Sequence, residues 1–494
     1  MEISILVLYG LALFLLFVYN LGQLSLIIRY LRSRNRQKAN ALPADTLSRT
    51  ELPPVTVQLP VYNELYVAER LIDAIARLDY PTQKLDIQVL DDSTDETVAI
   101  IARRVAHYQE RGLNIQHIRR PERTGFKAGA LGHGLVQARG EFIAIFDADF
   151  VPNPDFLLKT IPNFRDPQVG IVQTRWEHLN EDFSLLTQLQ AFGLNAHFTI
   201  EQSGRYVSNY FANFNGTGGV WRKTAIIDAG GWQADTLTED LDLSYRAQLR
   251  GWTFNYREDI GSPAELPVEM NALKSQQYRW MKGAAECARK LFGRVVRRPD
   301  VSLGVKIHAF MHLFSSATFI LVLVLGVLSV PLLYIRNRHP DWEIVFDIIN
   351  FFQFNLLILI TFYGIPFLGL STKNKALLGW YFPMYSSLMM GLSLHNTIAV
   401  IEGYMGRKTP FIRTPKFNAN KTGDRWQGNK YIVPKLSWLT GVEGLLTIYF
   451  VGGLMLAFYV NDFRLFFLHI LFTVGFGMVF GLSVSHALAV RRVV

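Results

Sequence analysis

Five long apolar runs surround a charged middle, and these runs limit the possible folds more than any other feature of the sequence. They cover residues 4–28, 309–335, 344–370, 438–460 and 463–489. Each run is about long enough to cross a bilayer as a helix. Half of the 494 residues are hydrophobic and 18% are charged, and most acidic residues lie between the first and second runs. The sequence therefore predicts a multi-pass membrane protein with one large polar domain.

Basic residues at the ends of the apolar runs predict the orientation of the chain. They cluster at 29–38, 294–298, 407–416 and 491–492. Lys and Arg near the ends of spans favour the cytoplasmic side. We therefore expect an N-terminus outside, a C-terminus inside and a cytoplasmic polar domain. This clustering explains the net charge of +9 through contact with membrane lipids, without a nucleic-acid partner.

Residues 377–404 are a sixth apolar stretch, but their predicted position is different. If they crossed the bilayer, the basic segment 407–435 would lie outside the cell. Charge therefore favours a helix in the plane of the interface. This gives five predicted spans.

The polar domain alternates short apolar strands with helices. Strands are predicted at 55–60, 87–90, 115–118 and 142–146, with helices at 63–78 and 95–111. This alternation is typical of an α/β domain with a mostly parallel sheet. Ligands bind at the carboxyl ends of the strands in such sheets. Asp91 and Asp92 follow one strand, and Asp147 and Asp149 follow another, so we expect a functional site at this edge.

Asp147 and Asp149 are carboxylates two residues apart. Their oxygens suit Mg²⁺ or Mn²⁺ and leave room for phosphate oxygens. A cation held there would neutralise charge on a diphosphate leaving group. Two aspartates separated by one residue are common in proteins, so the prediction depends on the position of this pair directly after the strand at 142–146.

Three further residues suit transfer of a group to a hydroxyl. Asp240 could act as a general base, although the acids around it also suit the first turn of a helix that Thr238 caps. Arg279 can make paired bonds to a phosphate, and Trp280 offers a flat face to a sugar ring. Arg and Trp also occur together at membrane interfaces without a catalytic role.

The sequence gives no support to several other chemistries. It has no G-x-G-x-x-G after a strand and no P-loop, which argues against dinucleotide and ATP chemistry, and no His/Cys cluster for zinc. Cys287 is the single cysteine, so no intramolecular disulfide is expected, and we interpret it as a small hydrophobic residue on a helix.

Five motifs occur in a fixed order, and together they resemble those of processive family-2 glycosyltransferases, which include cellulose, chitin and hyaluronan synthases. The motifs are PVYNE at 60–64, DDS at 91–93, DAD at 147–149, TED at 238–240 and QxxRW at 276–280. Longer stretches at 89–95, 125–131, 211–221 and 228–232 are similar to plant cellulose synthase-like mannan and glucan synthases. The resemblance covers about 55–285.

This resemblance implies a GT-A fold, a Mg²⁺ or Mn²⁺ ion and inversion at the anomeric carbon. It implies donor binding by Pro60, Tyr62, Glu64, Asp91, Asp92, Lys127, Asp147, Gln276 and Arg279, metal binding by Asp147 and Asp149, acceptor binding by Trp280 and Glu239, and a general base at Asp240. Residues 408–416 resemble the cytoplasmic gating loop of such synthases. The chain departs from cellulose synthases in having fewer spans and no recognisable cyclic-dinucleotide module.

We therefore expect a nucleotide-sugar-dependent hexosyltransferase (EC 2.4.1) in the cell membrane. GDP-mannose or UDP-glucose would be the donor, and a growing β-linked polysaccharide the acceptor, with translocation of the product and assembly into a homo-oligomer left open. The alternative is a glycosyltransferase that adds a single sugar to a lipid acceptor, which the few spans favour. A transporter or receptor is a weaker hypothesis, because ionisable residues are sparse in the apolar runs, with Glu443 and His469 the clearest.

These interpretations divide the chain into seven segments. They are an N-terminal transmembrane anchor at 1–30, a basic cytoplasmic linker at 31–51, a GT-A domain at 52–285, an amphipathic interface helix at 286–306, a transmembrane hairpin at 307–372, an interfacial helix with a basic gating-type loop at 373–435, and a C-terminal transmembrane hairpin at 436–494.

Overall fold

The computed structural model describes residues 1–39, 48–410, 412–419, 423–432 and 436–491, and their side chains except at 34–39, 348–350 and 353. Parts of the predicted basic linker and basic loop, and Arg492, therefore lie outside the described residues. The α-helices are α1 (Glu2–Ala39), α2 (Ala68–Ala76), α3 (Thr97–Gln109), α4 (Phe126–Gln137), α5 (Phe156–Thr160), α6 (Leu185–Ala196), α7 (Ser203–Val207), α8 (Lys223–Asp228), α9 (Glu239–Leu249), α10 (Met270–Val296), α11 (Leu303–Leu313), α12 (Thr318–Arg338), α13 (Glu343–Phe351), α14 (Asn355–Leu370), α15 (Leu378–Gly391), α16 (Ser393–Met405), α17 (Trp438–Tyr459) and α18 (Phe466–Arg491).

The polar domain is built on one mixed sheet. Its strands are β1 (Val55–Val61), β2 (Leu85–Asp91), β3 (Ile115–Arg119), β4 (Phe142–Ile145), β5 (Val169–His178), β6 (Gly219–Arg222) and β7 (Thr253–Ala264). Within the described residues these seven strands follow the order β3-β2-β1-β4-β6-β5-β7. Only β6 runs antiparallel to its neighbours, β4 and β5. The predicted α/β domain with a mostly parallel sheet is confirmed.

Apolar side chains cover both faces of this sheet. Val57 and Leu59 of β1 pack into a buried cluster on one face, and Ile143 and Ile145 of β4 into a second cluster on the other. Such burial on both faces is expected of parallel strands that helices cover. The packing fixes the strand ends, so the loops that follow β1, β2 and β4 meet at one edge.

Four helices in the described part of the chain are long and apolar enough to cross a membrane. They span Glu2–Ser33, Ser315–Arg338, Trp438–Tyr459 and Phe466–Arg491. By these helices the chain is a multi-pass membrane protein. The expected span at 344–370 is interrupted, because a 3₁₀ turn at Phe352–Phe354 separates α13 from the shorter apolar helix α14.

The residues at 377–404 form two helices, α15 and α16, that join at Leu392. Helix α15 packs against α18, and α16 packs against α10 and α12. Helix α10 is thus one of the elements that connect the sheet domain to the apolar helices. A buried ion pair reinforces this connection: Lys274 of α10 donates to Glu443 of α17 at 2.7 Å and to Ser483 of α18 at 2.9 Å.

Candidate active site

The loops after β1, β2 and β4 enclose a small cavity of about 120 Å³, which we call the sheet-edge cavity. It is lined by Pro60, Val61, Tyr62, Glu64, Asp92, Arg123, Lys127, Ala130, Asp147, Ala148, Arg279, Arg413, Thr414 and Lys416. Seven of the residues that the resemblance implied for donor binding therefore lie around one cavity, although they come from distant parts of the sequence.

Asp92 and Tyr62 form one end of the sheet-edge cavity, and each has an arginine partner that the sequence analysis missed. Arg120 donates to both oxygens of Asp92, at 3.0 and 2.5 Å. The Arg123 guanidinium lies 3.4 Å from the centre of the Tyr62 ring. The pairing holds the Asp92 carboxylate in one orientation, and the stacked pair offers a flat, cationic surface to a ligand.

Asp91 lies apart from the residues that line this cavity. Its carboxylate is buried and accepts from the backbone N–H of Ser93 at 2.8 Å, with His117 Nε2 also at 2.8 Å. Burial raises the pKa of Asp91, but these hydrogen bonds outweigh burial, so its pKa is lowered. Asp91 therefore stabilises the turn at Ser93, and this turn positions Asp92.

Lys127 and Asp147 form an ion pair in the middle of the site. Lys127 Nζ lies 2.6 Å from Asp147 Oδ1 and donates to the Gly216 carbonyl at 2.9 Å. Burial lowers the pKa of Lys127, but Asp147, Glu239 and Asp240 more than offset this, so its pKa is raised. A permanent positive charge therefore lies among these carboxylates, as binding of a diphosphate requires.

Asp149 has the features expected of a cation ligand. It is buried, its Oδ2 pairs with Lys416 Nζ at 2.6 Å, and its Oδ1 has no hydrogen-bond partner among the described residues. The orphaned oxygen is of the hard type that Mg²⁺ and Mn²⁺ prefer. No group of three or more His, Cys, Asp or Glu residues suited to a metal occurs within the described ranges. Asp147 and Asp149 therefore fit a metal that takes its remaining ligands from a substrate or from water.

Glu239 and Asp240 begin helix α9 beside this pair. Thr238 lies at the N-cap position as predicted, but its side chain does not cap the helix, and its hydroxyl lies 3.4 Å from Cys287 Sγ. Burial, and then the Glu239 carboxylate, raise the pKa of Asp240 to about 7. Burial also raises the pKa of Glu239. A carboxyl group with a pKa near neutrality is suited to accept a proton.

Helix α10 places Gln276, Arg279 and Trp280 between two cavities. Arg279 lines the sheet-edge cavity, where it donates to the Thr414 hydroxyl at 2.7 Å. Gln276 and Trp280 are four residues apart, so they share a helix face. They line a second cavity of about 360 Å³, which we call the inner cavity. The motif therefore contributes to both cavities: Gln276 and Trp280 line the inner cavity, and Arg279 lines the sheet-edge cavity.

The inner cavity extends from Asp240 to the apolar helices. Aromatic residues line its two ends: Trp176 and Trp280 at the sheet domain, and Tyr363 and Tyr385 at α14 and α15. The polar side chains of His197 and Glu201 also line it, from a π-helical turn at His197–Gln202.

On this turn Glu201 accepts from His197 at 2.7 Å and from Gln23 of α1 at 2.9 Å. His197 Nε2 lies 3.3 Å from Asn215 Oδ1, and the Asn215 amide nitrogen has no partner among the described residues. This cluster was not predicted from the sequence. A wall of aromatic rings and amide, imidazole and carboxylate groups suits a carbohydrate.

The segment 412–419 closes the sheet-edge cavity from the other side. Arg413 Nη1 lies 2.7 Å from Glu64 Oε2, and Lys416 pairs with Asp149 as described above. Burial raises the pKa of Glu64 to about 7 even though Arg413 and Lys416 oppose this effect. The predicted gating-type loop therefore touches the candidate donor residues directly.

Comparisons with known proteins show the family of the chain. Residues 53–283 match the family described as "Glycosyltransferase like family 2". Glucomannan 4-beta-mannosyltransferase 1 of Oryza sativa subsp. japonica is 35% identical over 412 residues, which are 79% of this chain and 75% of that protein. Glucomannan 4-beta-mannosyltransferase 2 of Arabidopsis thaliana is 36% identical over 392 residues, which are 76% of this chain and 70% of that protein.

One solved structure shows the same fold. It is the mannosyltransferase PcManGT from Pyrobaculum calidifontis in complex with GDP-Man and Mn²⁺, with a TM-score of 0.51, 18% identity and coverage of 81% of this chain and 100% of that one. The family match, the relatives and the membrane-length helices together define a membrane-bound glycosyltransferase. The chain belongs to glycosyltransferase family 2, with the plant glucomannan 4-beta-mannosyltransferases among its relatives.

Proposed function

We propose that this enzyme transfers mannose from GDP-mannose to the 4-hydroxyl of a growing β-linked mannan or glucomannan, with a glucose donor as a second substrate. The names of relatives at 35% and 36% identity support the sugar and the linkage. Basic clusters beside the apolar runs favour a cytoplasmic position for the transferase domain.

One observation carries the proposal: Asp240 of the inner cavity lies beside Lys127, which lines the sheet-edge cavity. Asp240 lines the inner cavity with Trp280. A Cβ built on Gly216 would lie 2.9 Å from Asp240 Oδ2 and 3.4 Å from Lys127 Nζ, and Lys127 pairs with Asp147 in the sheet-edge cavity. A single carboxylate is therefore within reach of both an acceptor hydroxyl and a donor's anomeric carbon.

The donor would occupy the sheet-edge cavity. Asp92 and the stacked Tyr62 and Arg123 would hold the nucleoside, and Lys127 and Arg279 the diphosphate. Asp147 and Asp149 would hold Mg²⁺ or Mn²⁺, which neutralises the negative charge that develops on the leaving nucleoside diphosphate. Arg279 is buried, which lowers its pKa, and Asp147 and Glu239 lie close enough to oppose this effect.

The acceptor would stack on Trp280 at the mouth of the inner cavity, with Glu239 nearby. The acceptor oxygen attacks the anomeric carbon from the face opposite the diphosphate, and its proton passes to the Asp240 carboxylate. The bond from the anomeric carbon to the diphosphate oxygen breaks, so the configuration at the anomeric carbon is inverted. Positioning and charge stabilisation would supply most of the acceleration, and the general base about 10²–10⁴-fold.

The inner cavity favours a polymeric product over a single-sugar glycolipid. Its lining includes Asp240, residues of α12, α14 and α15, and polar groups of the π-helical turn. A chain leaving Trp280 would thus meet hydroxyl-binding groups on its way to the apolar helices. This arrangement would also suit translocation of the product across the membrane.

The test uses the purified full chain in nanodiscs with Mn²⁺ and separate GDP-mannose, GDP-glucose and UDP-glucose donors. The proposal predicts nucleoside diphosphate release with GDP-mannose and a product that an endo-β-1,4-mannanase digests. A lipid carrying a single sugar would favour the glycolipid alternative. A glucanase-sensitive product made from UDP-glucose alone would contradict the mannosyl assignment.

A further inference from the structure

An open groove of about 540 Å³ lies outside the active site, between the C-terminal half of α1 and the end of α7. Leu24, Ile28, Arg29 and Arg32 line it from α1, and Val207 and Ser208 line it from the transferase domain. The groove therefore has walls from two parts of the chain that are far apart in sequence.

Two exposed arginines supply the charge of this groove. Arg29 and Arg32 are three residues apart and therefore neighbours on one helix face. Among the described side chains neither forms an ion pair with a carboxylate. The Arg29 guanidinium lies 5.0 Å from the centre of the Tyr210 ring, and that ring stacks on His308 at 4.0 Å. The contact orients Arg29 along the wall without neutralising it.

The rest of the groove is amphipathic. Its apolar side continues onto the outer face of α1, where Leu21, Ile28 and Leu31 are 43%, 40% and 49% exposed. Its polar side carries Ser208, whose buried hydroxyl has no partner in the part of the chain that the structure describes. A ligand that satisfies both sides needs an anionic polar end and an apolar body.

We propose that this groove binds an anionic phospholipid at the end of α1, with the phosphate on Arg29 and Arg32 and the acyl chains along Leu24 and Ile28. Guanidinium groups make strong, paired hydrogen bonds to phosphate. Basic pockets beside spanning helices are suited to anionic headgroups. The apolar wall selects a lipid over a water-soluble phosphate ester, because only a lipid buries that wall. The bound lipid joins α1 to the transferase domain at Val207 and Ser208.

The direct test is photolabelling of the full chain in nanodiscs with a diazirine-bearing phosphatidylglycerol, followed by peptide mapping. Labels are expected within 21–33 and 205–210. In the double variant Arg29→Gln/Arg32→Gln, the affinity for the phosphatidylglycerol probe should fall about 25-fold, because each arginine near an anionic lipid contributes about fivefold. The matched control is Arg294→Gln/Arg297→Gln, because these exposed arginines have the same spacing and charge at the C-terminal end of α10 but lie outside the groove.

Three outcomes would overturn the proposal. Labelling of the groove that is equal for a phosphatidylcholine probe would show that the anionic headgroup is not recognised. An equal loss in the two double variants would show that only general surface charge matters. Competition by soluble glycerol phosphate at millimolar concentration would assign the site to free phosphate esters. Circular dichroism spectra and nucleoside diphosphate release, measured for both double variants, establish that each protein is folded.

Discussion

A side chain at Gly216 would collide with Asp240, the candidate base. Gly216 has φ +78°, and a Cβ there would lie 2.9 Å from Asp240 Oδ2. Favourable contacts with carbon begin at about 3.5 Å, so the carboxylate must move by about half an ångström or more. Because a misplacement of about 1 Å can lower a rate about 100-fold, we expect Gly216→Ala to lower turnover about 10- to 100-fold.

Gly231→Ala is a matched control for this change. Gly231 has φ +69°, and a Cβ there would meet nothing within 4 Å. Both variants place alanine in left-handed backbone at a cost of about 1–2 kcal/mol, so they share the loss of stability but not the collision.

The assay is nucleoside diphosphate release at saturating donor, with thermal midpoints measured for both proteins. If the two variants have equal turnover, the position of the Asp240 carboxylate does not matter, and the reasoning is refuted.

Three other predictions follow from the site and its supports. Since activity requires ionised Asp240, kcat/KM should rise with pH through about 7. Glu239→Gln removes a neighbouring negative charge, which should lower the pKa of Asp240 and shift this rise in kcat/KM to lower pH. An unchanged pH profile would contradict the prediction. Lys274→Met leaves Glu443 buried without its partner, which should cost about 3–5 kcal/mol and lower the thermal midpoint, whereas an unchanged midpoint would show that the pair is not needed. Lys416→Ala removes the ammonium group that pairs with Asp149 and should tighten Mn²⁺ binding, as measured by electron paramagnetic resonance. Weaker binding would show that Lys416 supports the metal site.

The strands next to the site could be predicted because their sequences are local signals. Short apolar runs that end in Asp92 and in Asp147 indicate both the strand and the edge where it terminates. Strand β6 could not be found this way, because Gly219–Arg222 is four residues long and follows a glycine-rich segment. It becomes a strand only because β4 and β5 supply partners on both sides.

The contacts of individual site residues could not be predicted, because they involve residues far away in the sequence. Asp91 and Asp92 are adjacent and chemically identical, yet one faces His117 and the other faces Arg120 and the cavity. The alternation of side chains along an extended chain separates them, but the sequence does not say which face is the site. The π-helical turn at His197–Gln202 gave no signal either, because its polar residues are distinguished only by the cavity beside them.

Asp240 lines the inner cavity beside Lys127 of the sheet-edge cavity, and Asp240→Asn tests its role as the general base most directly. The variant should bind GDP-mannose and Mn²⁺ with affinity within about threefold of the parent, because its side chain keeps its shape and lies outside the sheet-edge cavity. Incorporation of radiolabelled mannose should fall about 10²–10⁴-fold. Incorporation close to that of the parent would contradict the central claim.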